Sequence, residues 1–210
     1  MKLKPVALAL VGGLALSACA IKPSVVTRGV EPGLTLLTQD GAEPARAAQA
    51  APGFSIVDMR VIVPETLKVS EANTYKPRAD IVWRGDPFGN RYEQVAAIMR
   101  EAAERGVRDL DGERDGILVI EVAKFHALTE KARYTVGGTH DIDFWMSVVD
   151  AKTGDVIVPR RFVDTALPAL GGRAALAAEA RGDTQKVRIE AFISEVVAEE
   201  LTMPVANAPA

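Results

Sequence analysis

His126 and His140, the two histidines of this 210-residue sequence, and the neighbouring carboxylates Asp141 and Asp143 are the side chains best suited to hold a metal ion or move a proton. Imidazole and carboxylate ligands bind a cation such as zinc when they converge within a few ångströms, and a water on such a metal attacks substrates at neutral pH. A metal-dependent hydrolase using His126, His140 and Asp141 is therefore one reading of the chain. The local pattern opposes it. Successive side chains of a strand point to opposite faces, so if His126 and His140 end the core face of a hairpin, Asp141 and Asp143 point the other way. Edge-of-core histidines beside solvated aspartates are the plainer reading. No G-x-S-x-G, phosphate loop or C-x-x-C motif occurs, and no catalytic residue or metal ligand is assigned.

The other reactive group is the single thiol, Cys19. It ends the segment Leu16-Ser17-Ala18-Cys19, after a positive start at Lys2 and Lys4 and an apolar run over residues 5–16. A positive start, an apolar stretch and small residues are the three parts of an export signal. The final four residues resemble the lipobox of bacterial lipoproteins. That resemblance implies that the Cys19 thiol receives a diacylglycerol, that residues 1–18 are removed as a signal peptide, and that the new amine is acylated. Covalent lipid on Cys19, with palmitate-like chains, is then the only expected non-protein group; no cofactor is expected. Each buried methylene contributes about 0.8 kcal/mol, so three acyl chains form an effectively permanent membrane anchor. Two other readings stay open: Ala18-Cys19-Ala20 also fits an A-x-A site for ordinary secretion, and the segment could be a retained anchor. Against the second, the apolar run is shorter than the ~20 residues a spanning helix needs and contains Gly12 and Gly13. Ala20 in place of an aspartate resembles the outer-membrane default, so the outer membrane is favoured over the inner, with the domain facing the periplasm.

Loss of the signal would remove Lys2 and Lys4 and move the formal charge from −3 to −5. An acidic chain of this kind is a poor match for nucleic acid. With one cysteine no internal disulfide can form, so the domain relies on its apolar core, and 48% hydrophobic residues can supply one.

Residues 19–53 are rich in Pro, Gly, Ala and Gln and hold no sustained apolar period, as expected of a lipidated terminus followed by a flexible tether. Its reach as a random coil is roughly 30 to 35 Å. A single α+β domain is expected over 54–203, and the tail 204–210 has nothing to bury. Val57, Met59, Val61 and Val63 alternate as in a half-buried strand ended by Pro64. Asn90 and Glu93 have capping-box spacing, and Tyr92, Val95, Ala96, Met99, Ala102 and Ala103 form a helical stripe, with Gly106 read as its stop. Two strands, 117–127 and 140–150, suit a hairpin centred near Arg133. Its expected register sets Ile120 opposite Met146, Val122 opposite Phe144 and Lys124 opposite Ile142. A loop at 151–154 leads into a further strand with Val156, Val158 and Phe162. Asp183 is the expected cap of a last helix burying Ile189, Phe192, Ile193, Val196, Val197 and Leu201, with Glu190, Glu195 and Glu199 on its charged face. The predicted fold is α+β: a two-layer sandwich of a four-stranded, mainly antiparallel sheet with two long helices on one face, in the order β-α-β-β-β-α.

The lipobox, the passage Ile81-Val82-Trp83-Arg84-Gly85-Asp86-Pro87, the Asp150 to Asp155 hairpin and the run Thr184-Gln185-Lys186-Val187-Arg188-Ile189 together resemble an uncharacterised family of alphaproteobacterial envelope lipoproteins, a domain of unknown function. The element order is also similar to that of small envelope lipoproteins that assist ABC-type lipid transporters or stabilise secretion complexes. The resemblance implies a location and a fold, and no catalytic residues.

The sheet face opposite the helices collects Val119, Glu121, Phe125, Asp143, Trp145 and Val149 in the expected register. Aromatic side chains among acidic ones suit a partner-docking surface, with Trp145, Phe125, Glu121 and Asp143 as its candidates. The competing reading is that the tether, through Leu34 to Leu37, covers this face. Arg84-Gly85-Asp86 matches an adhesion tripeptide, but Asp86 before Pro87 has a local turn or cap role. Trp83 is expected to anchor packing. The expected function is therefore a lipid-anchored, non-catalytic accessory or assembly protein that binds a protein of an envelope complex. A lipid-transport auxiliary is the second reading and the metal-dependent hydrolase the third.

Overall fold

The computed structural model describes residues 52–203, so Cys19, residues 1–18, nearly all of the tether and the 204–210 tail lie outside the described residues. The described chain runs β1 (Phe54–Ile62), β2 (Ile81–Val82), α1 (Arg91–Gly106), β3 (Arg114–His126), α2 (Glu130–Arg133), β4 (Gly138–Asp150), β5 (Val156–Val163), β6 (Ala166–Ala169), α3 (Gly172–Glu179) and α4 (Gln185–Thr202). The fold is mixed α+β with one open sheet of six strands. Its main path is β1-β3-β4-β5, while β2 pairs with the end of β3 and β6 with the start of β4. The expected count of four strands is thus corrected to six. β2 has two residues and β6 four, too few for period-2 alternation to register. α2 occupies the place of the plain hairpin expected near Arg133, and α3 lies in the Ala/Gly-rich passage before the last helix.

β1 runs parallel to β3, with α1 in the connection, whereas β3, β4 and β5 are antiparallel. The Asn90 side chain accepts hydrogen bonds from the Tyr92 and Glu93 amides and starts α1 as expected. Val95, Ile98, Met99, Ala102 and Ala103 are its buried stripe. Gly106 has a different role from the one expected. It is the last residue of the helix and does not take a positive φ. A Cβ there would lie 2.5 Å from the Ser194 carbonyl oxygen, so the glycine is needed because α1 and α4 touch backbone to backbone. α4 is capped by Thr184, whose hydroxyl accepts from the Val187 amide, one residue later than the expected Asp183. Glu190, expected on the charged face, is buried and paired with Arg105 of α1 at 2.7 Å.

Buried residues of α1, α4, β1, β3, β4 and β5 join one apolar cluster that includes Met99, Ile120, Phe144 and Ile193. Ile120 pairs with Met146 and Val122 with Phe144, as the alternation predicts. The third expected pair is wrong: the register shifts between Val122 and Lys124, so Lys124 faces Asp143 and Phe125 faces Ile142. An extra residue in one strand of a pair is a β-bulge, and it exchanges the faces of every later side chain.

The loop before α1 is held by an ion-pair cluster. Arg91 donates from Nε to Glu71 Oε1 at 2.6 Å and from Nη2 to Glu71 Oε2 at 3.0 Å, and Arg84 bonds Glu130 and the Glu71 carbonyl oxygen. Hydrogen bonding to Arg91 holds the Glu71 pKa below the ordinary carboxylate range. The Arg84-Gly85-Asp86 tripeptide is spent internally: Gly85 packs on the Trp83 ring and Asp86 accepts from the Trp83 indole N–H. Trp83 is fully buried, edge-on to Phe125 with ring centroids 5.8 Å apart. At the sheet edges, β1 is bulged at Val57, where the register skips from Ile56 to Asp58, and β5 carries Pro159 followed by Arg160 and Arg161.

Candidate functional site

Because β3 and β4 alternate strictly over residues 117–122 and 144–149, their outward side chains form cross-strand rows on the face away from the core. One row crosses four strands: Ile62 pairs with Glu121, Glu121 with Trp145, and Trp145 with Phe162. The next carries Arg60, Val119 and Ser147, and a third Asp58, Ile117, Val149 and Val156. Among the described residues no helix packs over these rows: the buried faces of α1 and α4 lie in the core cluster on the opposite side. Ile62, Phe162 and Val156 are 46%, 47% and 63% exposed, an apolar surface that the described residues leave uncovered.

Trp145 is the centre of this face. Its ring lies 4.9 Å from that of Phe162 at 56°. The Arg160 guanidinium sits 4.0 Å above the Trp145 ring and reaches Glu121 at 2.9 Å. Aromatic pairs and exposed cation-π contacts each contribute about 0.5–1.5 kcal/mol, and the exposed ion pair less than about 1 kcal/mol. These contacts hold the indole between Phe162 and Arg160.

Of the four expected docking residues the structure keeps Trp145 and Glu121 together here. Phe125 does not belong to this face. The bulge turns it into the core, where it is fully buried. Asp143 is on the outward side but lower down, half-buried, accepting from the Thr165 amide and 4.0 Å from Lys124. Burial raises its pKa above the ordinary value. Phe162, Arg160 and Ile62 were not singled out as site residues. Phe162 was hidden by register shifts in the β4–β5 pair on either side of Val148, which put Val158 in the core but Val156 and Phe162 outside.

The same bulge separates the two histidines. His126 turns outward, opposite Asp141, and its Nε2 donates to the Ala79 carbonyl oxygen. His140 points to the core side, 2% exposed. His126, His140 and Asp141 therefore do not converge, and the expected placement of both histidines on the core face is corrected. Among the described residues no three His, Cys, Asp or Glu side chains are gathered to hold a metal ion. On the later elements Arg161 pairs with Glu200, Lys186 with Asp86 and Arg188 with Asp183. No described helix is long and apolar enough to cross a membrane.

No curated protein matches the sequence. Among solved structures, the chain is similar to a protein from Xanthomonas campestris of the family DUF330, at 13% identity over 73% of this chain and 83% of that one, with a TM-score of 0.41. It is also similar to a candidate lipoprotein from Caulobacter crescentus CB15, at 16% identity over 69% and 87% of the two chains, with a TM-score of 0.34. A family model matches residues 54–210, and the chain belongs to that family, the family of unknown function DUF6778.

Proposed function

We propose that this chain is an envelope lipoprotein, anchored through lipid on Cys19 and facing the periplasm, with the outer membrane favoured, and that it acts by binding a protein partner rather than by catalysis. The anchor rests on the lipobox-like Leu16 to Cys19 sequence. The binding role rests on one observation: the four-strand row Ile62, Glu121, Trp145 and Phe162, in which an oriented aromatic pair lies on an uncovered sheet face. Tryptophan and arginine in such a setting are the usual energetic centres of protein interfaces, because they bury a large area with few free torsions. An accessory or assembly component of an envelope complex is the role that joins anchor and face.

The test is affinity purification of the full chain from detergent-solubilised envelopes, beside a folded Trp145→Asp variant. A specific protein partner retained by wild type and lost from the variant is expected; equal recovery with both chains would sink the docking role. Mass spectrometry of the processed terminus tests the anchor independently, with an acylated Cys19 expected and an unmodified start beyond residue 20 as the contrary result. The lipid-transport auxiliary reading predicts instead that both chains carry phospholipid. It needs an apolar groove. The groove of about 730 Å³ at the end of β3 and the start of β4 mixes Tyr75, Leu128 and Val136 with Lys76, His126 and Asp141, which favours the docking reading.

A further inference from the structure

β4 pairs with β6 over residues 138–141, but with β3 only from Asp141 onward. Before that point the two central strands part, because the chain leaves β3 after His126 to enter α2. Among the described residues no backbone hydrogen bond joins 127–129 to 138–140. The groove of about 730 Å³ lies at this parting, lined by residues 75–77, 127–129 and 136–139 together with His126 and Asp141. Its volume falls within the roughly 300–1,000 Å³ of sites that take ligands.

Charge and apolar surface narrow the occupant. Ala127 and Leu128 are buried, whereas Tyr75 and Val136 of the lining stand out at 50% and 74% exposed. Lys76 is exposed, and the Lys131 ammonium lies 4.7 Å from the centroid of the Tyr75 ring. The neighbouring carboxylates are already engaged: Asp141, the one acid of the lining, is 3.2 Å from the Lys124 ammonium, and Glu130 pairs with Arg84. Lys76 and Lys131 are left without a carboxylate partner among the described residues. A chain that is acidic as a whole thus carries a groove with spare positive charge, which favours an anionic occupant with an apolar part to cover Tyr75 and Val136. Backbone that is paired on one side only, as at residues 138–140, also accepts an extended peptide through main-chain hydrogen bonds. That last feature favours a polypeptide over a lipid headgroup.

We propose that this groove binds an acidic, extended segment of a partner protein, with an apolar side chain seated between Tyr75 and Val136 and a carboxylate drawn to Lys76 and Lys131. The contact is separate from the Trp145 row. Between them stands the pair of Lys124 and Asp143, one step before His126 and Asp141 along the two strands. The groove's own lining carries the inference, which needs no docking at Trp145.

Random heptapeptides displayed on phage and selected on the immobilised full chain test this, with the best peptide synthesised and its affinity read by fluorescence anisotropy. Sequences that combine Asp or Glu with aliphatic or aromatic residues are expected. Lys76→Glu and Val136→Asp, both at exposed positions, should each weaken the selected peptide roughly tenfold or more, while Trp145→Asp leaves it unchanged. No enrichment, enrichment of sequences without acids, or an affinity indifferent to Lys76→Glu would overturn the proposal. Displacement of the peptide by micelles of short-chain phosphatidylglycerol would also overturn it, by assigning the groove to a lipid headgroup. Loss of binding in a folded Trp145→Asp chain would do the same, by moving the site to the aromatic row.

Discussion

The two faces of the central strands differ more in cover than in chemistry, although the outer one also carries Asp58, Arg60, Glu121 and Ser147. Leu118, Ile120, Val122, Ile142, Phe144 and Met146 are essentially inaccessible, while their sequence neighbours Ile117, Val119, Trp145 and Val149 are only half-buried. Both sets are mostly apolar. What separates them is that α1 and α4 lie on one side, so the same kinds of residue are fully buried on that side and stay partly exposed on the other. Burying a large apolar side chain contributes about 1.5–3 kcal/mol, and on the outer face part of that gain is still unrealised, most of it at Ile62, Phe162 and Val156.

The largest effect that could break this contrast is at Phe125. Phe125→Ala should lower stability by about 3–5 kcal/mol, read by urea unfolding, because it opens a cavity beside Trp83. A loss below about 1 kcal/mol would mean that the bulge does not bury this ring. Next is His140, whose pKa falls from 6.5 to about 4 in the folded chain, chiefly through burial. The unfolded chain then binds more protons between these values, so stability is full above pH 6.5 and declines as the pH drops toward 4. The shift corresponds to about 3 kcal/mol. Subtracting the pH profile of His140→Gln isolates this term from Asp143 and Glu190, whose raised pKa values, caused chiefly by burial, act in the opposite direction. A wild-type slope matching that of the variant would contradict it. Gly106→Ala should cost about 1–3 kcal/mol by forcing α1 away from Ser194, measured as a fall in Tm. On the outer face the order reverses. Trp145→Ala should cost only about 1 kcal/mol and Arg160→Ala about 0.5 kcal/mol, yet both should weaken partner recovery. Unfolding midpoints set beside pull-down yields sharpen the comparison, because a core residue moves the first and an outer-face residue the second.

The main strands and both long helices were legible in the sequence because each is long enough for its period to repeat: Ile142, Phe144, Met146 and Val148 on one strand, Ile189, Ile193, Val197 and Leu201 on the last helix. The candidate site was legible only in part. Trp145 and Glu121 precede the bulge and were placed correctly; Phe125 and His126 follow it and were not. A signal was present: on β3 the core residues pass from even numbers, 118, 120 and 122, to an odd one, 125, while β4 keeps one phase throughout. A phase change in one strand of a pair requires an extra residue. Phe162 lacked any such cue, since two register shifts lie between it and Val156.

The outer edges of the sheet carry a consequence for life at high density. A strand that pairs on one side only offers its free backbone groups to any neighbour. Here one border is kinked by the bulge at Val57, and Arg100 donates to the Met59 carbonyl oxygen along it. The other border is interrupted by Pro159, which has no amide hydrogen to give. Both rims are thus poor templates for fibre growth, even where copies are crowded.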